Sequence, residues 1–381
     1  MGVKGLTLKD DFVVCGVSTD TRTINKGDLF IALSGDNYDG HSFVSLAAQK
    51  GACAVVCSKD VTVDIPVVHV ENTLSAFQNL AAYYRLKFDI PVIAVTGSNG
   101  KTTTKNMIAA ILASKYKVYF TDKNYNNEIG LPRSILELDD SYDVAVLEMG
   151  MNHFGEIKTL SQIAKPTIAV ITNIGKAHIG NLGSQENILK AKLEILDGLK
   201  SEGLLVLNDD DPYLNKLNIQ SHKTVFVGIN NTENRTISAS NILFNDNSTH
   251  FMVSDENECV ECVLPTFGVH NVTNALLALY CGLQLGVGLS EAAAELKRFT
   301  PSPMRSEVAL IKGITIIKDY YNSSPESARV AIEGLSSYNS SGKKIAILGE
   351  MYELGVHSAN EHKKLAETCV RNALDYVFFI G

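Results

Sequence analysis

A glycine-rich stretch that follows an apolar run contains the residue types that bind phosphate. It comes soon after residues 92–95 and reads Gly97-Ser98-Asn99-Gly100-Lys101-Thr102-Thr103. Glycines let backbone N–H groups approach phosphate oxygens, the helix start adds positive potential, Lys101 supplies a charge and Thr102 a hydroxyl for Mg²⁺. The stretch predicts a nucleotide-phosphate loop; the alternative is a turn that only starts a helix. Because Val95 replaces the first glycine of the general pattern, the loop is a shorter variant.

A carboxylate, an imidazole and an amine could complete such a site. Glu148 directly follows a second apolar run and can reach a metal ion held by Thr102. His178 follows a third run, and Lys192 lies on the helical pattern behind it. The alternatives are an exposed glutamate, a structural histidine and a solvated helix lysine. Lys190 and Lys192 are two residues apart and cannot share a helix face, so at most one of them points into the site.

The elements that must position these residues form a parallel sheet. Three continuous apolar runs, with helical patterns between them, cover residues 92–95, 144–147 and 168–171. Such runs are typical of parallel strands that are buried on both faces. In this architecture ligands bind beyond the carboxyl ends of the strands, which is where the glycine-rich loop, Glu148 and His178 fall.

The whole chain predicts an α/β protein of three domains. Its 381 residues favour more than one core, and we place the domains at 1–88, 89–300 and 301–381. The first has predicted strands at 28–33 and 54–57 and helices at 43–51 and 73–88. The second has predicted turns at Asn230-Asn231 and Asn245-Asp246-Asn247 and a helix at 271–285. After the break Pro301-Ser302-Pro303, the third has predicted buried strands at 314–317, 345–348 and 376–380, with two helices between them.

Composition excludes several function classes. The net charge of -8 gives no reason to expect a surface that neutralises nucleic acid or acidic lipid. The seven scattered cysteines are typical of reduced thiols, and Cys259-x-x-Cys262 alternates with other residues as a strand does rather than as a zinc site. No apolar stretch has the length of a signal peptide core or a membrane span. We therefore expect a cytoplasmic protein without membrane insertion.

Together these motifs resemble the Mur ligase family, and within it the MurF type, over nearly the whole chain. The resemblance rests on motifs in the family's order: Thr19-Asp20-Thr21-Arg22, Gly27-Asp28-Leu29-Phe30-Ile31-Ala32-Leu33, Asn124-Tyr125-Asn126-Asn127-Glu128-Ile129-Gly130, Glu148-Met149-Gly150-Met151-Asn152, His270-Asn271-Val272-Thr273-Asn274, Met304-Arg305-Ser306-Glu307 and Asp319-Tyr320-Tyr321-Asn322-Ser323-Ser324-Pro325. It implies a central sheet domain of the phosphate-loop type, followed by a Rossmann-like third domain that is incomplete because it should continue beyond Gly381.

The resemblance also implies roles for the residues around the loop. The loop and Lys101 would bind the phosphates of ATP, while Thr102 and Glu148 would hold one Mg²⁺. Glu148 and His178, with a carbamylated lysine, would organise a second Mg²⁺. Lys192, which is fourteen residues after His178, is the candidate for that lysine. A carbamate would replace a cation that repels Mg²⁺ with a carboxylate-like ligand.

Further roles follow for both ends of the nucleotide. His270, Asn271 and Asn274 match the adenine-side motif, and Arg305 and Asp319 match positions that contact phosphate and ribose. The alternatives are that Asn271 caps its helix and that Asp319 only ends a strand.

Two groups of residues in the resemblance match the sites for the nucleotide-linked substrate. Thr19, Asp20 and Arg22 fit its uridine diphosphate end. Asn126, Asn127 and Glu128 fit its sugar-peptide side. An Asp20–Arg22 pair is otherwise most often a surface ion pair.

The activity that the resemblance implies is ATP-dependent ligation of an acid to an amino acid in peptidoglycan precursor synthesis. D-Alanyl-D-alanine would be joined to UDP-N-acetylmuramoyl-tripeptide through an acyl phosphate, by a monomer that binds no nucleic acid. One alternative is another Mur or folylpolyglutamate-type ligase. The other is a fragment that binds nucleotide and precursor without catalysis, because the third domain is incomplete.

Overall fold

The computed structural model describes residues 3–7, 13–35, 37–121, 124–229, 236–245, 248–339 and 342–381. The chain divides into two compact units. The first contains Met1–Asp89 and Tyr125–Asp140, and the second contains Ile90–Asn124 and Ser141–Gly381. The domain boundaries at 88 and 300 stay predictions. The predicted turns at Asn230-Asn231 and at Asp246-Asn247 lie outside the described residues.

Strands and helices alternate along most of the chain. The strands are β1 (Val3–Thr7), β2 (Gly16–Ser18), β3 (Asp28–Ile31), β4 (Ser34–Gly35), β5 (Tyr38–Asp39), β6 (Ala54–Cys57), β7 (Val67–Val70), β8 (Val92–Thr96), β9 (Val118–Phe120), β10 (Val144–Glu148), β11 (Ile168–Ile171), β12 (Leu204–Asn208), β13 (Lys223–Ile229), β14 (Ile237–Asn245), β15 (Ser248–Ser254), β16 (Cys259–Leu264), β17 (Glu307–Ile311), β18 (Ile314–Lys318), β19 (Ile345–Gly349) and β20 (Tyr376–Ile380). The α-helices are α1 (Val44–Gln49), α2 (Thr73–Arg85), α3 (Lys101–Leu112), α4 (Gly130–Leu136), α5 (Glu156–Ala164), α6 (Ile179–Leu182), α7 (Gln185–Leu193), α8 (Val269–Gln284), α9 (Leu289–Lys297), α10 (Pro325–Ser337) and α11 (Ser358–Arg371).

The first unit is built on a five-stranded sheet in the order β1-β7-β6-β3-β2. Its strands are parallel except β1, which runs antiparallel to β7. Alternate residues face opposite cores, as strand geometry requires: Phe30 packs with Val55, whereas Ile31 packs with Val56 and Phe77. Helix α4 packs against α2 and β2. Part of the covering of this sheet therefore comes from the second stretch of chain.

The second unit contains a nine-stranded sheet in the order β16-β15-β14-β13-β12-β11-β8-β10-β9. The strands from β9 to β14 are parallel, and β15 and β16 extend the sheet in antiparallel pairs. Every residue of β8, β10 and β11 is buried, which confirms the prediction made from their apolar runs. Because β8 lies between β10 and β11, the ends of these strands meet at one edge of the sheet.

Helices of the second unit cover that sheet with apolar faces. Met107 and Ile108 of α3 join Leu276 of α8 in one buried core with the strands. The predicted strand around Cys259 and Cys262 is confirmed as β16, and both cysteines are free thiols. No helix in the described ranges is both long enough and apolar enough to cross a membrane.

The last part of the second unit follows the predicted order of elements, β18, α10, β19, α11 and β20. However, the prediction that its three strands are buried was wrong, since Ile314, Ile347 and Phe378 are 65%, 68% and 54% exposed. β18 pairs antiparallel with β17, and β19 pairs parallel with β20, so each strand has a single described neighbour. An apolar run predicts burial only if other elements cover both faces of its sheet.

Candidate active site

The predicted strand, loop and helix around the glycine-rich stretch are confirmed. β8 ends at Thr96, and α3 begins at Lys101. A Cβ atom on Gly97 would lie 1.8 Å from Thr172 Oγ1, and one on Gly100 would lie 2.5 Å from Asn274 Oδ1. Gly100 also has a left-handed φ of 80°. Glycine is therefore required at both positions, because the backbone passes too close to its neighbours for a side chain.

The segment between β11 and α6, residues 172–178, braces the phosphate loop and is called the β11 loop below. The Asn99 amide donates to Asn173 Oδ1 at 2.9 Å, while Thr172 Oγ1 donates to the Asn99 carbonyl at 2.5 Å. The Gly175 amide donates to Ser98 Oγ at 2.8 Å. Sequence reasoning assigned no role to Thr172 or Asn173. The feature of the sequence that could have indicated a role is their position directly after the predicted buried strand at 168–171.

Lys101 lies over its own loop. Its Nζ donates to the carbonyl oxygens of Gly97 at 2.8 Å and of Ser98 at 3.2 Å. Burial lowers the pKa of Lys101, the Glu148 carboxylate opposes this shift, and the charge of Arg305 adds to it. The charges of Glu148 and Arg305 therefore both act on the ammonium of Lys101.

Thr102 and Glu148 meet at the edge of the sheet, as the sequence predicts. Thr102 Oγ1 donates to Glu148 Oε2 at 2.7 Å, and Glu148 is 2% exposed. The register pairs Glu148 with Val95 of β8, and the Glu148 amide donates to Thr121 Oγ1 at 3.2 Å. A buried carboxylate and a hydroxyl thus offer hard oxygen ligands beside the phosphate loop.

His178 lies at the end of the β11 loop in the left-handed region, with a φ of 65°. Its Nδ1 contacts the carboxylate of Glu353. Burial lowers the pKa of His178 against the opposing effect of Glu353, and the charges of Lys101 and Lys192 lower it further. The imidazole is therefore biased towards the neutral form that binds metal ions.

Lys192 is buried on α7, whereas Lys190 is exposed, so only one of the two lysines faces inward as expected. None of the described residues forms an ion pair with Lys192. Burial, and then the charge of Lys101, hold the pKa of Lys192 well below its ordinary value. This environment disfavours the ammonium form of Lys192 and favours the neutral amine, which is the nucleophilic form.

His270, Asn271 and Asn274 lie in the first two turns of α8. Asn271 Nδ2 donates to the Phe267 carbonyl at 2.8 Å, and its Oδ1 accepts from Asn274 Nδ2 at 3.3 Å. Gly268, not Asn271, is the N-cap, so the simple capping alternative does not hold. Burial lowers the pKa of His270 to about 4. Through Asn274, this helix contacts the phosphate loop at Gly100.

Arg305 and Asp319 flank the start of the hairpin formed by β17 and β18. The Arg305 guanidinium lies 4.0 Å from the centroid of the Tyr321 ring. Asp319 follows β18, and its Oδ1 accepts from the Ser306 amide at 3.1 Å. Met304 and Ser306 adopt left-handed φ values of 63° and 51°, so the backbone around Arg305 is sharply turned.

The residues predicted to bind the precursor lie in the first unit. Arg22 Nη2 is 2.6 Å from Asp20 Oδ2, and the Arg22 side chain is 87% exposed. Hydrogen bonds from Arg22 lower the pKa of Asp20 to about 2. Thr19, half-buried, precedes this pair. The geometry is that of a surface ion pair, which was the alternative interpretation.

Asn126, Asn127 and Glu128 precede α4 in the same unit. Asn127 Oδ1 accepts from the Gly130 amide at 2.8 Å, and the Glu128 carbonyl accepts from Gln78 Nε2 at 3.1 Å. The structure therefore brings the predicted nucleotide and metal residues together in the second unit. It places the predicted precursor residues together in the first.

Domain models of one family match most of the chain. They are the Mur ligase family catalytic domain at residues 13–97, the Mur ligase middle domain at 95–282 and the Mur ligase glutamate ligase domain at 304–381. The order of these matches agrees with the predicted three-domain fold.

Individual relatives agree with these models. The UDP-N-acetylmuramoyl-tripeptide--D-alanyl-D-alanine ligase of Bacillus subtilis (strain 168) is 41% identical over 376 residues, which cover 97% of this chain and 80% of that protein. A crystal structure of MurF from Acinetobacter baumannii has a TM-score of 0.92 at 32% identity and covers 97% of this chain and 81% of that one. MurF of Thermotoga maritima in complex with ADP has a TM-score of 0.89 at 32% identity, covering 97% and 85%. The chain therefore belongs to the Mur ligase family.

Proposed function

We propose that this protein is an ATP-dependent ligase that joins D-alanyl-D-alanine to UDP-N-acetylmuramoyl-tripeptide in peptidoglycan precursor synthesis. The observation that carries the proposal is the contact of Thr102 with the buried Glu148 beside the Lys101 loop, at adjoining strand ends. It occurs in a chain that is 41% identical to the Bacillus subtilis ligase of that name. The relative solved with ADP supports ATP as the nucleotide. The cytoplasmic location and the monomeric state stay predictions.

The reaction needs activation because a carboxylate is a poor electrophile. The terminal carboxylate oxygen of the tripeptide attacks the γ-phosphorus of ATP, and ADP leaves. The amine of D-alanyl-D-alanine then attacks the carbonyl carbon of the acyl phosphate. Phosphate leaves with the bonding electrons, the amine loses a proton and an amide bond remains. Catalysis of the first step rests on positioning and on stabilisation of the phosphoryl charge.

Lys101 is our candidate for the main charge on the transferred phosphoryl group. Its ammonium now donates to two loop carbonyls, so it can exchange those bonds for phosphate oxygens without leaving the loop. The backbone N–H groups at residues 97–103 and the start of α3 supply further positive potential. Arg305 would add a second cation, and its effect on the pKa of Lys101 supports this role.

The residues at the strand ends fit Mg²⁺ when the donor chemistry is considered. Among the described ranges, no three His, Cys, Asp or Glu side chains form a metal cluster. The proposed ligands are therefore mixed: Thr102 and Glu148 for one ion, and Glu148, His178 and a modified Lys192 for a second. Bound Mg²⁺ would neutralise charge on the phosphoryl oxygens. Glu148 is already buried and hydrogen-bonded to Thr102, which orients both oxygens.

Carbamylation of Lys192 would convert a poor ligand into a good one. The neutral amine attacks the carbon of CO₂, a proton is released and a carbamate anion forms. The support is the burial of Lys192 without an ion-pair partner in the described chain. We expect a carbamate signal when the protein is equilibrated with ¹³C-bicarbonate and studied by ¹³C NMR. The signal should be lost in Lys192→Met and kept in Lys190→Met, whose lysine is exposed.

The remaining residues are proposed to hold the ends of the substrates. His270, Asn271 and Asn274 would lie on the adenine side, and Asp319 on the ribose. In the first unit, Thr19, Asp20 and Arg22 would receive the uridine diphosphate. Asn126, Asn127 and Glu128 would receive the sugar-peptide part.

A substrate panel tests the proposed function. Phosphate release from ATP should require UDP-N-acetylmuramoyl-tripeptide together with D-alanyl-D-alanine, and the panel includes tripeptides that end in lysine and in diaminopimelate. Release with UDP-N-acetylmuramoyl-dipeptide plus a diamino acid, but not with the tripeptide, would assign another Mur ligase. Binding of ATP and tripeptide without acyl phosphate or amide formation would assign a binding module.

A further inference from the structure

Carboxylates from the last part of the chain converge on the β11 loop and on the first residues of α6. Glu326, Glu353 and Glu361 come from three different elements: the start of α10, the turn before α11 and the first turn of α11. All three contact residues 175–180. The same loop holds the phosphate loop and ends at His178, so its position matters to both.

The contact between Lys176 and Glu361 is a largely buried ion pair. Lys176 Nζ is 2.9 Å from Glu361 Oε2, and the Glu361 side chain is 6% exposed. The other oxygen, Oε1, accepts from Lys364 at 2.9 Å. Burial disfavours the charged carboxylate, but the two lysines outweigh it and hold the pKa of Glu361 below its ordinary value. Glu361 is therefore an anion that joins its own helix to the β11 loop.

The start of α10 makes a second set of contacts with the same loop. Glu326 Oε2 accepts from the Lys176 amide at 3.0 Å. A Cβ atom on Gly175 would lie 2.7 Å from that oxygen, so the approach leaves no room for a side chain. Ser324, the N-cap of α10, donates from Oγ to Asn99 Oδ1 of the phosphate loop at 3.1 Å. Helix α10 thus contacts both loops at once.

The turn before α11 makes the third contact. The Gly180 amide donates to the Glu353 carbonyl at 2.9 Å, and the Glu353 carboxylate contacts His178 Nδ1. A Cβ atom on Gly180 would lie 2.7 Å from the Glu353 carbonyl oxygen. The backbone on either side of His178 is therefore fixed by residues that are far away in sequence.

We propose that Lys176 and Glu361 are a positioning pair that holds the β11 loop, and with it His178 and the phosphate loop, in the geometry needed for phosphoryl transfer. The pair touches neither substrate nor phosphate and acts through the loop. Lys176 contributes through its side chain to Glu361 and through its amide to Glu326, so it links two helices to one loop. The kinetic part of this proposal rests on the proposed ligase function, whereas the structural part does not.

The first test is independent of activity. In hydrogen exchange followed by mass spectrometry, Glu361→Gln should reduce the protection of amides in the peptide that covers residues 174–182. The amides of Lys176 and Gly180, which donate to Glu326 and Glu353, should exchange about tenfold faster than in the parent. Lys176→Met, at a position whose side chain is 25% exposed, should give the same result if Glu361→Gln fails to fold. Unchanged protection in the folded Lys176→Met protein would overturn the proposal.

The second test is kinetic. Both variants should lower kcat for phosphate release about tenfold, with KM for the UDP-tripeptide within about twofold of the parent, because a small displacement of the loop affects phosphoryl transfer more than precursor binding. The double variant should lower kcat little more than either single variant does, because both substitutions break the same ion pair. An unchanged kcat despite faster exchange would show that the loop position is not needed for catalysis.

The control variant is Glu367→Gln on the same helix. Glu367 is exposed and forms no ion pair within the described chain, so both exchange and kcat should match the parent. A parent protein that releases no phosphate with tripeptide and D-alanyl-D-alanine would defeat the proposed function. The exchange experiment would still decide whether the pair holds the loop.

Discussion

The predicted site residues of the two units differ in burial and in hydrogen bonding. In the second unit, Glu148 is buried, and the residues of the phosphate loop and the β11 loop are buried or half-buried. Side-chain hydrogen bonds between residues more than forty positions apart join these three parts. In the first unit, Asp20 and Arg22 are bonded only two positions apart, and Arg22 is 87% exposed. The residues of the second unit are preorganised for chemistry. In the first unit, a ligand can compete for Asp20 and Arg22 because their surface ion pair is weak.

This difference predicts how each unit responds to substitution. Changes in the second unit should disturb several partners at once and cost activity, stability or both. Changes in the first should leave the fold intact and affect only the binding of the precursor.

The largest effect is expected for Lys101→Ala. Phosphate release should fall by at least about a thousandfold, because a charge aimed at the transferred phosphoryl group is removed. The matched control is Lys190→Ala, an exposed lysine of α7, which should keep parental activity. If the Lys101→Ala protein retained a tenth of the parental kcat, Lys101 would not have the proposed role, and the second unit would not be more sensitive to substitution than the first.

Gly97→Ala should have the next largest effect. The added methyl would lie 1.8 Å from Thr172 Oγ1, so the phosphate loop must move away from the β11 loop. We expect kcat to fall about a hundredfold, measured as phosphate release. Gly288→Ala is the control because its added Cβ has no atom within 4 Å. Equal activity of the two variants would mean that the contact between the loops is not required.

His270→Asn should alter the acid side of the stability profile. The folded pKa of about 4 lies below the value of 6.5 for the free side chain, so protonation favours the unfolded chain. The contribution of neutral His270 to the free energy of unfolding is complete above pH 6.5 and is lost as pH falls towards 4. Between pH 7 and pH 4.5, the free energy of unfolding measured in urea should fall by about 2 kcal/mol more in the parent than in the variant. His222→Asn, in the turn before β13, should retain the parental loss.

Asp20→Asn should have the smallest effect on stability. Its pKa of about 2 lies below 3.8, so the ion pair stabilises the fold above pH 3.8 and less as pH falls towards 2. Because the pair is exposed, we expect a loss of less than about 1 kcal/mol in urea unfolding at pH 7. KM for UDP-tripeptide should nevertheless rise about tenfold. Asp64→Asn, an exposed aspartate of the same unit, should change neither quantity. An unchanged KM in Asp20→Asn would remove Asp20 from the proposed precursor site.

Local patterns predicted the parts of the second unit that depend on local chemistry. Glycines, Lys101 and Thr102 after an apolar run carry their own signal, and β8, β10 and β11 appear where their runs predicted them. Thr172 and Asn173 were not assigned a role because their importance arises only when β11 lies beside β8. Lys176 and Glu361 are 185 positions apart, and no spacing in the sequence connects them.

The strands near the end of the chain show the opposite limit. The sequence of β20, Tyr-Val-Phe-Phe-Ile, predicts a strand correctly and its burial wrongly. Aromatic and β-branched residues favour a strand in many contexts, whereas burial of that strand depends on how many elements pack around it. The linear pattern also gave no sign that residues 125–140 join the same compact unit as residues 1–89, because that association depends on packing between segments that are distant in sequence.

The interrupted first unit has a consequence for synthesis on the ribosome. When residue 89 has emerged, α2 and the five-stranded sheet are present, but α4, which packs on α2 and β2, has not yet been made. The nascent sheet must wait for 51 further residues, up to Asp140, while β8 and α3 emerge first. Domains usually fold as units from the N-terminus. In this protein the amino-terminal unit instead completes its folding only after the phosphate loop has left the ribosome.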